Sequence, residues 1–150
     1  AGLSSLRSVG GHVNIGYNVS LTNVEGLSNM TTVGDYLFFW WNPNLVNLSG
    51  LRNITSVGGD LTINVNDRLT SLDGLNNINT VGGDLDLRNN DGLRNLDGLS
   101  NITSLNGDLN ILGNDVLPTC RARSLETRLR NLRWVHTSWI SWNADSGSCS

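Results

Sequence analysis

Residues 50–73 read "GLRNITSVGGDLTINVNDRLTSLD", and the chain repeats this unit at a fixed spacing of 24 residues with no insertion. Gly-Leu stands at Gly2-Leu3, Gly26-Leu27, Gly50-Leu51, Gly74-Leu75 and Gly98-Leu99. Apolar positions keep the same step: Val13, Leu37, Leu61, Leu85 and Leu109, then Ile15, Phe39, Ile63, Leu87 and Ile111. An asparagine closes each unit, at Asn18, Asn42, Asn66, Asn90 and Asn114. Within the unit the apolar residues alternate, as in "DLTINVN" (60–66), which is the period of a strand and not of a helix. So short a unit cannot bury its own apolar side, but stacked copies bury a continuous core. The expected fold is a β-solenoid of five 24-residue coils with parallel sheets. The glycine pairs (Gly10-Gly11, Gly58-Gly59, Gly82-Gly83) are expected to supply backbone shapes that other residues resist. The repeated asparagine is expected to turn inward, its amide bonding the backbone of its own turn and of the next coil.

The totals agree with one domain. The chain has 150 residues, a net charge of −3 and 15% charged residues, below the usual quarter. All ten basic residues are arginine. Nothing in this balance points to nucleic acid or an anionic membrane. The apolar run from Leu37 to Trp41 falls far short of the roughly 20 residues that span a bilayer. The opening "AGLSSL" is not a signal peptide, so a secreted protein would be in its processed form. Cys120 and Cys149 are the two cysteines. One disulfide is the simplest reading and implies an oxidising compartment, hence a secreted or cell-surface protein; two free thiols are the alternative.

"LTINVN" (61–66) fits the strand pattern L-x-L-x-x-N, and the full unit resembles the receptor L-domain group of the leucine-rich-repeat superfamily, which includes ligand-binding domains of growth-factor-type receptors and many microbial surface proteins. The last third leaves the repeat. "LPTCRARSLETRLRNLRW" (117–134) places Ala122, Leu125, Leu129 and Leu132 on one helical face, with Thr119 as N-cap after Pro118. "TSWISWN" (137–143) restores the strand, with Ile140 inward and Asn143 in the asparagine column. "LPTC…ISWNADSGSC" resembles the C-terminal cap of bacterial members of that group. The division implied is a repeat solenoid over 1–117 and a helix-strand cap over 118–150, forming one continuous domain. A Cys120–Cys149 bond would tie the cap shut, worth roughly 3.5 kcal/mol in the chain-entropy model.

Inward positions stay apolar in every coil; outward positions differ. "DYLFFWW" (35–41) concentrates rings in a chain that has nine aromatic residues in all. Leu37 and Phe39 fill core positions, while Tyr36, Phe38 and Trp40 point out of the sheet and Trp41 sits at a coil edge. The cap strand repeats the anomaly with Trp139 and Trp142, where the resemblance implies small residues. At about 4.8 Å per strand, the two aromatic groups lie roughly 19 Å apart. Asp60, Asp84, Asp86 and Asp108, with Arg88, lie between them. The candidate partner-binding set is His12, Asn14, Tyr17, Tyr36, Phe38, Trp40, Trp41, Asp60, Thr62, Asn64, Asp84, Asp86, Arg88, Asp108, Asn110, Trp139 and Trp142. Rings around a polar centre suit recognition of a protein with a polar or basic epitope. Natural diversification and laboratory selection would both leave this pattern.

Other readings stay open. Exposed rings also stack on sugars, which makes carbohydrate an alternative ligand, and rings of two copies would cover one another in a homodimer. Five N-x-[ST] sequons begin at Asn18, Asn29, Asn47, Asn53 and Asn101, three of them within the repeating turn. The arginines of the cap helix (Arg121, Arg123, Arg128, Arg130, Arg133) read as its solvated face. His12 and His136 lack zinc spacing. No cofactor or metal is implied, and no G-x-S-x-G, P-loop or H-E-x-x-H motif occurs. Asp84 and Asp86 sit on an open sheet with no cleft to raise a pKa, so no enzyme is expected.

Overall fold

The structure, a computed structural model, describes residues 3–145 and 149. Short strands β1 (Ser8–Val9), β3 (Thr32–Val33), β5 (Ser56–Val57), β7 (Thr80–Val81) and β9 (Ser104–Leu105) form one parallel sheet. They alternate along the chain with four-residue strands β2 (Val13–Gly16), β4 (Leu37–Trp40), β6 (Leu61–Asn64), β8 (Leu85–Arg88) and β10 (Leu109–Leu112). These form a second parallel sheet, which helix α1 (Thr119–Asn131) and strand β11 (Ser138–Ser141) complete at one end. The spatial order β11-β10-β8-β6-β4-β2 follows the chain. The register advances by one repeat each time, as in Leu37↔Leu61 and Leu61↔Leu85. The chain is therefore a parallel β-solenoid with a C-terminal helix and strand. The five expected coils amount to about four turns, because a turn is complete only where the next copy of a strand is reached, and β2 to β10 takes four such steps.

Burial follows the alternation. Leu37, Phe39, Leu61, Ile63, Leu85, Leu87, Leu109 and Ile111 are fully buried. In the first coil Leu6, Val9, Val13 and Ile15 are only partly buried, since no described residue stacks on that side. The asparagine column runs as expected from the second coil on, whereas Asn18 in the first is exposed. Asn42, Asn66, Asn90 and Asn114 are fully buried. Each Oδ1 accepts the backbone N–H of the asparagine one coil earlier, at 3.0 to 3.2 Å. Each Nδ2 donates to a carbonyl of the earlier coil: Asn66 to Phe39, Asn90 to Ile63, Asn114 to Leu87. Asn143 closes the ladder with Asn114.

The glycine pairs act differently from the expectation. Gly10, Gly11, Gly58, Gly59, Gly82 and Gly83 do not take the left-handed backbone. What Gly58 and Gly82 permit is close stacking, because a Cβ on Gly58 would run into the carbonyl of Gly34, and one on Gly82 into that of Gly58.

The cap also departs in detail. Pro118 takes the N-cap position and Thr119 is the first helical residue. Thr119 instead fastens the helix start to the chain end, its N–H donating to the Ala144 carbonyl at 2.9 Å and its hydroxyl to the same atom. Ala122, Leu125 and Leu129 are buried, but Leu132 lies at the helix C-cap and is half exposed. Trp134 fills that end of the core and donates its indole N–H to the Gly107 carbonyl. Arg128 is not on a solvated face; it is half-buried and donates to the carbonyls of Leu99 and Ile102, binding the helix to the last repeat. Burial pushes the Glu126 carboxyl up, but hydrogen bonds from Ser138, Arg130 and Arg123 outweigh it and hold the pKa below the usual value. The Cys120–Cys149 disulfide is formed.

Candidate functional site

The outer face of the six-stranded sheet carries the nominated residues in four rows that cross the strands. His12, Tyr36, Asp60, Asp84 and Asp108 precede the strands, where the backbone ladder already runs from the Val13 N–H to the Tyr36 carbonyl and from the Leu37 N–H to that of Asp60. The second row is Asn14, Phe38, Thr62, Asp86, Asn110 and Trp139, neighbours by register. The third holds Trp40, Asn64 and Arg88, with Gly16 beyond Trp40. The fourth is Tyr17, Trp41, Val65, Asn89, Gly113 and Trp142, one residue after the third.

That fourth row is left-handed throughout, with φ between 53° and 63°. A left-handed residue breaks strand alternation and lets consecutive side chains share a face. Tyr17 accordingly touches both Trp40 and Trp41, with ring centroids 4.2 and 5.1 Å away in edge-on contact. This conformation costs an L-residue about 1–2 kcal/mol, and only Gly, Asn and Asp take it readily. Asn89 and Gly113 obey that rule; Tyr17, Trp41, Val65 and Trp142 do not. A trace of this row is present in the sequence, since the residue before the column asparagine is Asn or Gly in two coils.

The rings form two groups. At one end His12 stacks on Tyr36 at 4.4 Å, and Phe38 lies parallel to Trp40 at 5.7 Å. Trp40 lies over Gly16, where any Cβ would collide with the indole. At the other end Trp139 and Trp142 are 54% and 79% exposed. Tyr36, Phe38 and Trp40 are half-buried against one another and their ring neighbours. Exposure of Tyr17 and Trp41 is 61% and 42%.

The polar centre is partly structural. Asp60 Oδ1 accepts the Asp84 N–H and Asp84 Oδ1 the Asp108 N–H, both at 2.8 Å, and Asp108 Oδ1 accepts the Thr137 N–H at 2.9 Å. These carboxylates bridge successive coils as the asparagines do inside. Asn64 Oδ1 likewise accepts the Arg88 N–H at 2.8 Å. Arg88 Nε lies 2.7 Å from Asp86 Oδ1. Burial pushes the Asp86 carboxyl above the usual carboxylate range, against the pull of Arg88 and Asn64. Asn110 is only 4% exposed, and its Oδ1 lacks a hydrogen-bond partner among the described residues. Its neighbours across the strands, Asp86 and Trp139, flank it. Asn110 thus presents almost no surface of its own.

A small hollow of about 280 Å³ opens on this face, lined by Asn14, Tyr36, Phe38, Asp60 and Thr62. Among the described residues no group of three or more His, Cys, Asp or Glu is placed to hold a metal, and no helix is long and apolar enough to cross a membrane. The sequon asparagines of the repeating turn help to hold the coils together. Nδ2 of Asn29, Asn53 and Asn101 donates to the carbonyls of Ser4, Ser28 and Asn76 at 2.6 to 2.7 Å. Asn77, which starts no sequon, does the same with Arg52.

Compared with family models, with curated proteins and with solved structures, the chain matches none.

Proposed function

We propose that the chain is a secreted or cell-surface binding module, a leucine-rich-repeat solenoid of receptor L-domain type, whose outer sheet face grips a protein partner. One observation carries this reading: exposed rings occupy strained backbone. Tyr17, Trp41 and Trp142 hold left-handed φ of 58°, 53° and 55° at positions where Asn89 and Gly113 meet the same need without strain. Strain of this kind is kept where the side chain serves a function. Tyr and Trp are also the residues that dominate binding hot spots. The disulfide is compatible with an extracellular site, and so is the lack of a membrane-spanning helix among the described residues.

The test is affinity capture from a panel of extracellular proteins and glycans, with the parent beside a Tyr17→Asn/Trp41→Asn double variant. Asparagine suits the left-handed backbone, so the variant is expected to melt no lower than the parent. A protein retained by the parent and lost by the variant supports the face. A protein retained equally by both removes it. The bare Trp139 and Trp142 rings favour one second reading, stacking on a sugar, which predicts elution by free monosaccharide.

A further inference from the structure

We propose that the hollow between Tyr36, Phe38, Asp60, Thr62 and Asn14 seats one cationic side chain, lysine or arginine, of the partner; this rests on the protein-binding reading of the outer face. At about 280 Å³, and open to solvent, the hollow has room for one long side chain. The shape follows from the neighbours. Tyr36 is engaged with His12 and Phe38 with Trp40, while Asn14, Asp60 and Thr62 are short and leave the space between open.

Charge selects the occupant. Asp60 Oδ1 is held by the Asp84 N–H, and Oδ2 makes no hydrogen bond or ion pair among the described residues. No basic residue lines the hollow. The nearest arginine along these rows, Arg88, is paired with Asp86. An apolar side chain would strip water from Asp60 without replacing it, which is costly for a carboxylate. An anion would meet Asp60, with Asp84 next in the row. A cation satisfies the free oxygen, and Tyr36 and Phe38 bring aromatic rings, which attract cations, to the same hollow. With Oδ1 engaged by the Asp84 N–H, Oδ2 is the freer acceptor, and its two lone pairs suit an ammonium or a guanidinium.

The experiment is an NMR titration of isotope-labelled protein with N-acetyl-arginine amide, N-acetyl-lysine amide and the neutral N-acetyl-citrulline amide. Expected are saturable shifts at Tyr36, Phe38, Asp60 and Thr62 with at least one cation and none with citrulline. Asp60→Asn keeps the Oδ1 acceptor for the Asp84 N–H, so the fold survives, and it is expected to weaken binding about tenfold through loss of the charged hydrogen bond. No response to either cation, an equal response to citrulline, or indifference to Asp60→Asn overturns the site. The capture experiment reads the partner hypothesis separately. A partner lost with Tyr17→Asn/Trp41→Asn but no cation response would sink only the hollow. A cation response with no partner on this face would sustain a cation site and sink its assignment to a protein partner.

Discussion

Strands β4 and β8 share one backbone, one register and the same buried column, yet their two faces obey different rules. Inward, Leu37 and Phe39 match Leu85 and Leu87, all fully buried. Outward, β4 shows Phe38 and Trp40 where β8 shows Asp86 and Arg88. An inward residue has to fill space between two coils of fixed spacing, so its size and polarity are set. An outward residue meets solvent or a partner, and the solenoid tolerates almost anything there. Even so, part of the outer face belongs to the framework. Asp60, Asp84 and Asp108 stitch the coils from outside as the asparagines do from inside.

The contrast can be broken first from within. Asn90→Ala strips the Asn66 N–H of its acceptor in a dry interior and takes the side-chain donor from the Ile63 carbonyl, and is expected to cost about 2–4 kcal/mol by denaturant titration. Gly58→Ala, facing the Gly34 carbonyl, is expected to cost about 1–3 kcal/mol from overpacking, in spite of being exposed. Asn89→Val tests the left-handed row by itself, because Asn89 is exposed and no core is lost; a loss of about 1–2 kcal/mol is expected. Trp139→Ser is expected to change stability by no more than about 0.5 kcal/mol while altering partner retention, the signature of a residue that serves the outside.

The smallest effect concerns charge at the coil edge. Burial, then repulsion from Asp115 and Asp67, raises the Asp91 pKa above its ordinary 3.8. A raised carboxylate disfavours the folded state once ionised. The penalty is full above the folded pKa and gone below 3.8. Asp91→Asn should therefore melt slightly higher than the parent at pH 7 and equally at pH 3. Equal melting at both would remove the repulsion between the stacked carboxylates.

The repeat, the strand period, the inward asparagines and the outward rings are legible in the sequence because each recurs at 24 residues and solenoid contacts are between equivalent positions. A contact that joins residue i to residue i+24 can be read from one dimension. Helix α1 breaks that rule, and there pattern and structure part. Helical periodicity puts Leu132 inside, whereas it lies outside, and Arg128 and Trp134 anchor the cap instead. Those contacts join unlike elements at spacings that no repeat announces.

The sequence by itself therefore determined the architecture, the buried columns and the identity of the outward rings, since burial leaves a periodic trace. Only the tertiary structure decided that the row from Tyr17 to Trp142 is left-handed, that the aspartates commit one oxygen to the next coil, and that a hollow opens beside Asp60. The reason is that outward side chains are constrained by neighbours in adjacent coils and by the sign of a single φ, and neither is encoded in alternation.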